Sequence, residues 1–308
     1  MNNDFESIVK KLGELRAKRI FIQFPEGLKT KIQEISNNLE KNNFEPVICM
    51  ESTFGACDLR EDEAKRLNCD AILHIAHSDF GVETSIPVVY WEYFFDVDPI
   101  PALERNFHKI EKFDKIGLIT SVQYIPALQK AKRFLESKNK KIFTFKTEQY
   151  EGQILGCRVG AATNIEQKVD ALLCITAGKF YYTGLLSKTS KPKFALDLER
   201  SSLEDLTNAE KKMQKIKEWN KAQFREAKNI GLLVSWKKGQ MLGSPFSFKK
   251  KLEKEGKNAY LLAMDEISAK KIEGLKLDFL VNFACPRMEF PELSELQVSL
   301  LNYHEIKI

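Results

Sequence analysis

Three of the six cysteines have the placement expected of metal ligands. Cys57 and Cys157 stand the same number of residues before two aspartates, Asp70 and Asp170, and both have glycine neighbours in the sequence. Cys285 follows a third apolar run, in the sequence Ala-Cys-Pro-Arg. Three thiolates suit a cubane iron–sulfur cluster that leaves one iron without a protein ligand.

Cysteines also serve purely structural purposes, and three of the six fit that role best. Cys49 and Cys174 lie within predicted strands and are expected to be small buried hydrophobic residues, and Cys69 opens a strand without a counterpart elsewhere. Burial alone could also account for the three candidate ligands. A zinc site with an open position, using His77 as well, is a second metal alternative. The chain has no CxxC pair, which excludes the common zinc-finger and thioredoxin motifs.

The elements that must position these cysteines recur three times along the chain. Each repeat has a short apolar run after basic residues, a helix with apolar residues at spacings of three and four, a second apolar run, and an apolar run led by aspartate. The runs are 18–24, 115–120 and 228–235; the helices 28–41, 124–138 and 247–255; the second runs 45–50, 141–145 and 258–264; the aspartate-led runs 69–76, 169–176 and 277–284; and fourth strands 87–91 and 192–196.

This order predicts the α/β class, with three homologous parallel-sheet α/β domains. We place the domains at 1–105, 106–210 and 211–308, and expect a pseudo-threefold arrangement around a central cluster site built from loops at the strand ends. The third repeat has little chain left for a fourth strand. The charged stretch 201–228 is predicted to be a helix that links the second and third repeats.

Composition narrows the class of protein. The 308 residues carry a formal net charge of +5, which argues against a nucleic-acid coat protein. No apolar run approaches the roughly 18–20 residues that cross a bilayer, and the N-terminus has no apolar core of a secretory signal. We therefore expect a cytoplasmic protein that binds neither a membrane nor nucleic acid directly.

Several short motifs, in their order, resemble those of the archaeal diphthamide-biosynthesis iron–sulfur enzymes, the 2-(3-amino-3-carboxypropyl)histidine synthase family. The resemblance spans essentially the whole chain. It rests on Gln-Phe-Pro-Glu-Gly-Leu at 23–28, Phe-Gly-Ala-Cys-Asp at 54–58, His-Ile-Ala-His-Ser at 74–78, Gly-Gln-Ile-Leu-Gly-Cys at 152–157, Ala-Gly-Lys-Phe at 177–180, Lys-Gly-Gln at 238–240 and Asn-Phe-Ala-Cys-Pro-Arg at 282–287.

The resemblance implies a transferase with non-conventional radical chemistry. A [4Fe–4S] cluster held by Cys57, Cys157 and Cys285 would bind S-adenosylmethionine as cosubstrate at its open iron. Cleavage of the Cγ–S bond would release methylthioadenosine and a 3-amino-3-carboxypropyl radical. That radical would add to C2 of a histidine imidazole in translation elongation factor 2, the first step of diphthamide biosynthesis. The family resemblance also implies a homodimer that needs an electron donor.

Eight further residues are candidates for holding the cofactor or cosubstrate, because they lie in the matching motifs at the ends of strands. They also have structural interpretations, as part of a turn, a surface ion pair, a hydrogen-bonded structural histidine or a solvated charge. They are Gln23, Glu26, Gly27, His77, Ser78, Lys179, Gln240 and Arg287.

Three alternative hypotheses compete with the transferase. A quinolinate-synthase-like lyase also triplicates an α/β unit and holds a cluster with three distant cysteines, but its local motifs are not apparent here. A non-catalytic partner subunit could carry a cluster for a paralogue. The simplest hypothesis is an α/β protein with buried cysteines, which predicts no iron at all.

Overall fold

The computed structural model describes residues 2–287 and 298–307, with side chains from Phe5 onward. Helices and strands alternate along most of the chain, as expected for the α/β class. The α-helices are α1 (Asn2–Glu14), α2 (Ile32–Lys41), α3 (Glu61–Arg66), α4 (Ile100–Asn106), α5 (Ile125–Ser137), α6 (Gly160–Thr163), α7 (Phe180–Thr183), α8 (Thr207–Glu226), α9 (Pro245–Lys254) and α10 (Ala269–Ile272).

The strands form three separate sheets that share one order of strands. The first sheet has the order β2-β1-β3-β4, the second β6-β5-β7-β8-β9 and the third β11-β10-β12-β13. The strands are β1 (Arg19–Gln23), β2 (Glu45–Ile48), β3 (Ala71–Ile75), β4 (Val88–Trp91), β5 (Lys115–Thr120), β6 (Lys141–Phe143), β7 (Ala171–Thr176), β8 (Lys193–Asp197), β9 (Ser202–Asp205), β10 (Asn229–Ser235), β11 (Asn258–Met264), β12 (Phe279–Asn282) and β13 (Ser299–Asn302). The predicted α/β class is confirmed, as are three sheets whose strands are parallel except for the edge strand β9.

The central strands are apolar because both of their faces are covered. All five residues of β3, all six of β7 and all four of β12 are buried. Helix α2 contributes its buried face to the first sheet through the residues at spacings of three and four, Ile32, Ile35 and Leu39. A central strand buried on two faces explains the absence of strict polar alternation in the sequence.

The aspartate that leads each of these three central strands has one repeated role. The Asp70 carboxylate accepts hydrogen bonds from the backbone N–H groups of Lys18 and Arg19, both at 2.7 Å. Asp170 accepts one from Lys115 at 2.8 Å, and Asp278 accepts those of Lys228 and Asn229 at 3.0 and 2.7 Å. Each aspartate therefore fixes the start of the first strand of its repeat against the third.

Two sequence expectations are wrong. A fourth strand does exist in the third repeat: β13 pairs in parallel with β12 and buries Leu300 and Leu301. Four residues are enough to add a strand at an edge, so the short remaining chain was no obstacle. In addition, the stretch expected to be entirely helical begins with β9, which pairs antiparallel to β8, before α8 starts at Thr207.

The chain divides into two units by its internal packing. One comprises Met1–Phe95 together with the short segment Lys237–Gly239, and the other comprises Asp96–Trp236 and Gln240–Ile308. The first contains Cys57, and the second contains Cys157 and Cys285. Within the described residues, no helix combines the length and apolar character required to cross a bilayer.

Candidate functional site

Cys57 lies in the loop that joins β2 to α3 in the first unit, where it is half-buried. The backbone N–H of Asp58 donates to the carbonyl oxygen of Gly55 at 2.9 Å, which closes a tight turn around the cysteine. A Cβ on Gly55 would stand 3.5 Å from the Cys57 sulfur. The thiol is therefore presented by a loop between a strand and a helix, as the sequence predicted, and within that loop by a tight turn.

The side chain of Gln23 holds this loop from the end of β1. Its amide Nε2 donates to the carbonyl oxygen of Asp58 at 2.8 Å, and its Oε1 accepts the backbone N–H of Arg60 at 3.0 Å. Gln23 is fully buried. Both ends of its amide are thus used on the Cys57 loop, while its predicted contact with a cosubstrate stays a prediction.

The segment Lys237–Gly239 completes the first unit beside the same loop. The buried Lys237 ammonium contacts the buried Asp58 carboxylate at 2.7 Å. The backbone N–H of Gly239 donates to the carbonyl oxygen of Cys57 at 3.1 Å, and a Cβ on Gly239 would lie 2.7 Å from the Cα of Cys57. The loop and the segment therefore meet backbone to backbone.

Glu61, the first residue of α3 after the loop, makes a second set of polar contacts. Its buried carboxylate pairs with Lys238 and with Lys65, and accepts hydrogen bonds from Ser85. Burial acts to raise the pKa of Glu61, but the hydrogen bonds from Lys238, Lys65 and Ser85 outweigh it and hold that pKa well below its usual range. Glu61 therefore stays ionised and anchors α3.

His77 and Ser78 follow β3, and the structure places His77 close to a second histidine, His74. The Nε2 atom of His74 lies 3.2 Å from Nδ1 of His77, and His74 also packs edge-on against Tyr90. Burial lowers the pKa of His77 to about 4 and that of His74 well below its usual range. The pair is therefore neutral near pH 7. Ser78 is buried.

In the second unit, the loop of Cys157 packs against the short helix α7. A Cβ on Gly156 would collide with the ring of Phe180, and one on Gly184 would collide with the carbonyl oxygen of Gly156. Cys157 itself is exposed to solvent. Two glycines thus allow the cysteine loop and the helix to touch, which accounts for the Leu-Gly-Cys sequence.

Cys285 follows β12 in a turn shaped by Asn282. The Asn282 side chain donates to the carbonyl oxygen of Cys285 at 2.9 Å and accepts the backbone N–H of Ala284 at 2.8 Å. Two residues on, Arg287 donates to the carbonyl oxygen of Phe180 at 3.0 Å and to the hydroxyl of Thr183. The Cys285 turn and the Cys157 loop therefore converge on the same helix, α7.

Burial has the largest effect on the Cys157 thiol and raises its pKa, and the positive charges nearby offset this only in part. Desolvation raises the pKa of the Cys157 thiol, whereas the guanidinium groups of Arg158 and Arg287 act in the opposite direction. A bound metal ion would add a larger positive charge and favour the deprotonated form further.

Four other candidates have simpler surroundings. Glu26 is exposed and pairs with Lys29 at 3.3 Å. Gly27 and Lys179 are exposed, and a Cβ on Gly27 would meet no atom within 4 Å, so local packing does not require a glycine there. Gln240 is buried. Their contacts with a cofactor or cosubstrate stay predictions.

Sequence reasoning missed Lys237, Asp58 and Thr183. Asp58 adjoins the first candidate ligand and Lys237 precedes the Lys-Gly-Gln motif, so both lay beside a signal that the sequence already gave. Nothing in the sequence pairs two residues so far apart in the chain. The role of Thr183 becomes visible only once the position of α7 is known.

The donor set suits an iron–sulfur cluster. None of the six cysteines, all of which are described, is in a disulfide. Cys57, Cys157 and Cys285 all lie in loops or turns and keep accessible surface, whereas Cys49, Cys69 and Cys174 are buried. Among the side chains of residues 5–287 and 298–307, no three from His, Cys, Asp or Glu are grouped closely enough to hold a metal ion. The assignment of the three cysteines as ligands stays a prediction.

Three α/β sheets whose parallel strands share one order define a triplicated α/β protein, and three of its cysteines lie in loops with accessible surface. A family model described as putative diphthamide synthesis protein matches residues 24–308. The chain belongs to this diphthamide synthesis family.

Individual relatives agree with the family match. The chain is 33% identical over 307 residues to the 2-(3-amino-3-carboxypropyl)histidine synthase of Pyrococcus horikoshii, covering 98% of this chain and 88% of that protein. It is 26% identical to subunit 1 of the synthase of that name from Kluyveromyces lactis, covering 93% of this chain and 70% of the relative. The crystal structure of Dph2 from Pyrococcus horikoshii with a 4Fe-4S cluster superimposes with a TM-score of 0.88 at 31% identity, covering 98% of this chain and 88% of that one.

Proposed function

We propose that this chain is a 2-(3-amino-3-carboxypropyl)histidine synthase that transfers the 3-amino-3-carboxypropyl group of S-adenosylmethionine to C2 of a histidine imidazole in translation elongation factor 2. The observation that carries the proposal is the match to the Pyrococcus horikoshii synthase over 98% of the chain. The match to Dph2 with a 4Fe-4S cluster supports a cluster in this chain as well.

We propose Cys57, Cys157 and Cys285 as the ligands of a [4Fe–4S] cluster. Three cysteines leave one iron without a protein ligand, which is where S-adenosylmethionine would bind. When bound and reduced, the cluster supplies the single electron that breaks the Cγ–S bond of S-adenosylmethionine and releases methylthioadenosine. Domains at 1–105, 106–210 and 211–308 in a pseudo-threefold arrangement would supply one cysteine each.

The protein itself binds and orients the cluster and the cosubstrate, and it excludes competing reactions. The Gln23 amide and the Asn282 amide each hold the backbone of a cysteine turn. Arg287 ties the Cys285 turn to α7 and leaves its planar group near the Cys157 loop. In the proposed site, Arg287 also contributes positive charge for the carboxylate of the cosubstrate.

The remaining candidates would contribute more weakly. Lys179 and Glu26 are exposed and are proposed as contacts of the cofactor or cosubstrate. Gly27, His77, Ser78 and Gln240 are proposed as contacts because they lie in the matching motifs. The proposed enzyme acts as a cytoplasmic homodimer and takes its electron from a separate donor.

The test is an anaerobic single-chain reaction. The protein is reconstituted with iron and sulfide, reduced and mixed with S-adenosylmethionine, and the nucleoside products are separated. We expect methylthioadenosine well above the level of a variant with alanine at Cys57, Cys157 and Cys285, and near-normal yield from Cys174→Ala. Labelled aminocarboxypropyl carbon should then appear on elongation factor 2.

The same reaction separates the alternatives. Absence of methylthioadenosine from a sample that holds a reduced cluster would contradict a self-sufficient transferase. Product that appears only after a paralogue is added would identify this chain as a partner subunit. Iron that binds without cleavage of S-adenosylmethionine under any of these conditions would favour a lyase of the quinolinate-synthase type.

A further inference from the structure

The loop that carries Cys57 is irregular in backbone but buried in part. Thr53, Asp58, Leu59 and Arg60 all have little or no exposed surface, although residues 49–60 contain neither helix nor strand. Buried polar backbone in a loop requires partners, because each unpaired group costs the free energy of its lost hydration. The partners of this loop therefore determine how well its conformation is defined.

One partner is Gln23, which bonds the loop on both sides of Leu59. It donates to the carbonyl oxygen of Asp58 and accepts from the N–H of Arg60, at 2.8 and 3.0 Å. A planar amide that satisfies one acceptor and one donor in this way fixes two peptide groups relative to β1. The residue directly before the first of them is Cys57.

The second partner is Gly239, which comes from the third repeat in the sequence. Its N–H donates to the Cys57 carbonyl oxygen at 3.1 Å. A Cβ at this position would stand 2.7 Å from both the Cα and the Cβ of Cys57, a separation that real Cβ atoms do not show. Any side chain at position 239 would therefore displace the backbone of Cys57 itself.

The third partner is Lys237, whose ion pair with Asp58 is almost wholly buried. The side chains of Lys237 and Asp58 are 5% and 1% exposed, and their charged atoms lie 2.7 Å apart. The Lys237 ammonium also lies 5.5 Å from the ring centroid of Phe54, which precedes Cys57 in the sequence as Asp58 follows it. A buried ion pair adds little net stability over an apolar pair, but it restricts geometry.

We propose that Lys237 and Gly239, together with Gln23, are positioning residues that hold the Cys57 loop in one conformation and so preorganise its thiolate for the iron–sulfur cluster. The inference rests on the proposed function for the identity of the bound group. It adds that a segment of the third repeat, which contributes no sulfur to this loop, sets where the first cysteine stands. Preorganised ligands bind a metal group more tightly, because the protein loses less conformational entropy on binding.

The first test measures the loop in the full-length apoprotein and needs no cluster. Amide hydrogen exchange is followed for peptides that cover residues 54–61 and, as an internal reference, 71–75 of β3. We expect Gly239→Ala and Lys237→Met to accelerate exchange in the first peptide by about tenfold and to leave the reference peptide within about twofold. A merely destabilised protein would accelerate both.

Matched controls are available in the chain. Gly13→Ala alters a glycine of α1 whose added Cβ would meet nothing within 4 Å. Lys193→Met removes a buried lysine from an ion pair with Glu210 in the unit that lacks Cys57. Both controls should leave exchange in 54–61 at the wild-type rate.

The second test measures the cluster. After identical reconstitution, Gly239→Ala and Lys237→Met should bind less than about half the iron of the wild type, and their reduced clusters should show a changed electron paramagnetic resonance spectrum. Unchanged exchange in 54–61 would overturn the proposal, as would faster exchange with normal iron and an unchanged spectrum. If the wild type binds no iron, the proposed function fails, while the exchange result still decides whether these residues hold the loop.

Discussion

The carbonyl oxygen of Gly156 fills the space in which a side chain at Gly184 would begin. This contact joins the backbone next to Cys157 to the end of α7, and α7 is also the helix to which Arg287 donates its hydrogen bonds. Two cysteine turns that are far apart in sequence therefore depend on one helix of four residues. Their joint dependence on α7 can be tested by altering either glycine.

We expect Gly184→Ala to be clearly more harmful than Gly156→Ala. A methyl group at Gly184 meets backbone, which cannot move aside without shifting the Cys157 loop, and overpacking of this kind costs about 1–3 kcal/mol. At Gly156 it meets the ring of Phe180, which is 38% exposed and can rotate away, so the cost should stay below about 1 kcal/mol.

Thermal unfolding and iron content after reconstitution measure this difference. Gly184→Ala should lower both the unfolding temperature and the iron bound per chain, and Gly156→Ala should change them little. Equal effects of the two variants would show that α7 does not hold the Cys157 loop through its backbone.

The cysteines should separate into two groups when each is replaced by alanine. Loss of Cys57, Cys157 or Cys285 should abolish most iron binding, because each would remove a ligand from the cluster. Cys174→Ala should keep its iron, because this residue is fully buried in β7 and burial raises the pKa of its thiol to about 12, which keeps it protonated.

The expected cost of Cys174→Ala is a loss of about 1 kcal/mol of stability from its missing packing. Iron per chain and the unfolding temperature are measured on the same samples. Normal iron in any of the three candidate-ligand variants would remove that cysteine from the proposed set.

Much of the fold could be predicted because the repeat is written in apolar runs. The predicted strands 115–120 and 258–264 match β5 and β11 residue for residue, and the aspartates that lead the third strands proved to bond the first strands. A strand that is buried on both faces appears in the sequence as a continuous apolar run, which can be recognised without knowing what packs against it.

The rest depends on contacts between distant segments, which a single sequence does not encode locally. The placement of Cys57 in a loop was predicted, but its contact with Gly239 and the ion pair of Asp58 with Lys237 join residues from different repeats. Strand β13 was missed for a related reason: its four residues become a strand only because β12 offers them an edge.

The repeated aspartate should be a measurable source of stability. Asp278→Ala removes the acceptor for the N–H groups of Lys228 and Asn229, and hydrogen bonds to a partly exposed carboxylate of this kind contribute about 1–2 kcal/mol together. We expect the unfolding temperature to fall by about 2–6 °C.

Asp114→Ala is the matched control for this prediction, because the Asp114 side chain is 87% exposed and its ion pair with Lys140 is long, at 3.8 Å. The control should stay within about 1 °C of the wild type. An equal loss in the two variants would mean that the strand-start hydrogen bonds of Asp278 add nothing beyond a surface charge.

The buried histidine pair should make the apoprotein sensitive to mild acid. Burial lowers the pKa of His77 to about 4 and that of His74 well below its usual value of 6.5. Below about pH 6.5 these histidines bind protons in the unfolded chain but stay neutral in the folded chain. The free energy of unfolding therefore has its full value above that pH and decreases as the pH falls toward 4. His77 keeps part of its surface, which limits its share to about 1–2 kcal/mol.

Thermal unfolding of the apoprotein at pH 7.5 and pH 5.0 checks this expectation through the difference between the two temperatures. The His77→Gln variant should show a smaller difference than the wild type, whatever its absolute stability, because one group that titrates only in the unfolded chain is gone. His108→Gln, which alters an exposed histidine, should keep the wild-type difference. If His77→Gln loses as much stability between the two pH values as the wild type does, the buried histidine pair does not cause the sensitivity to acid.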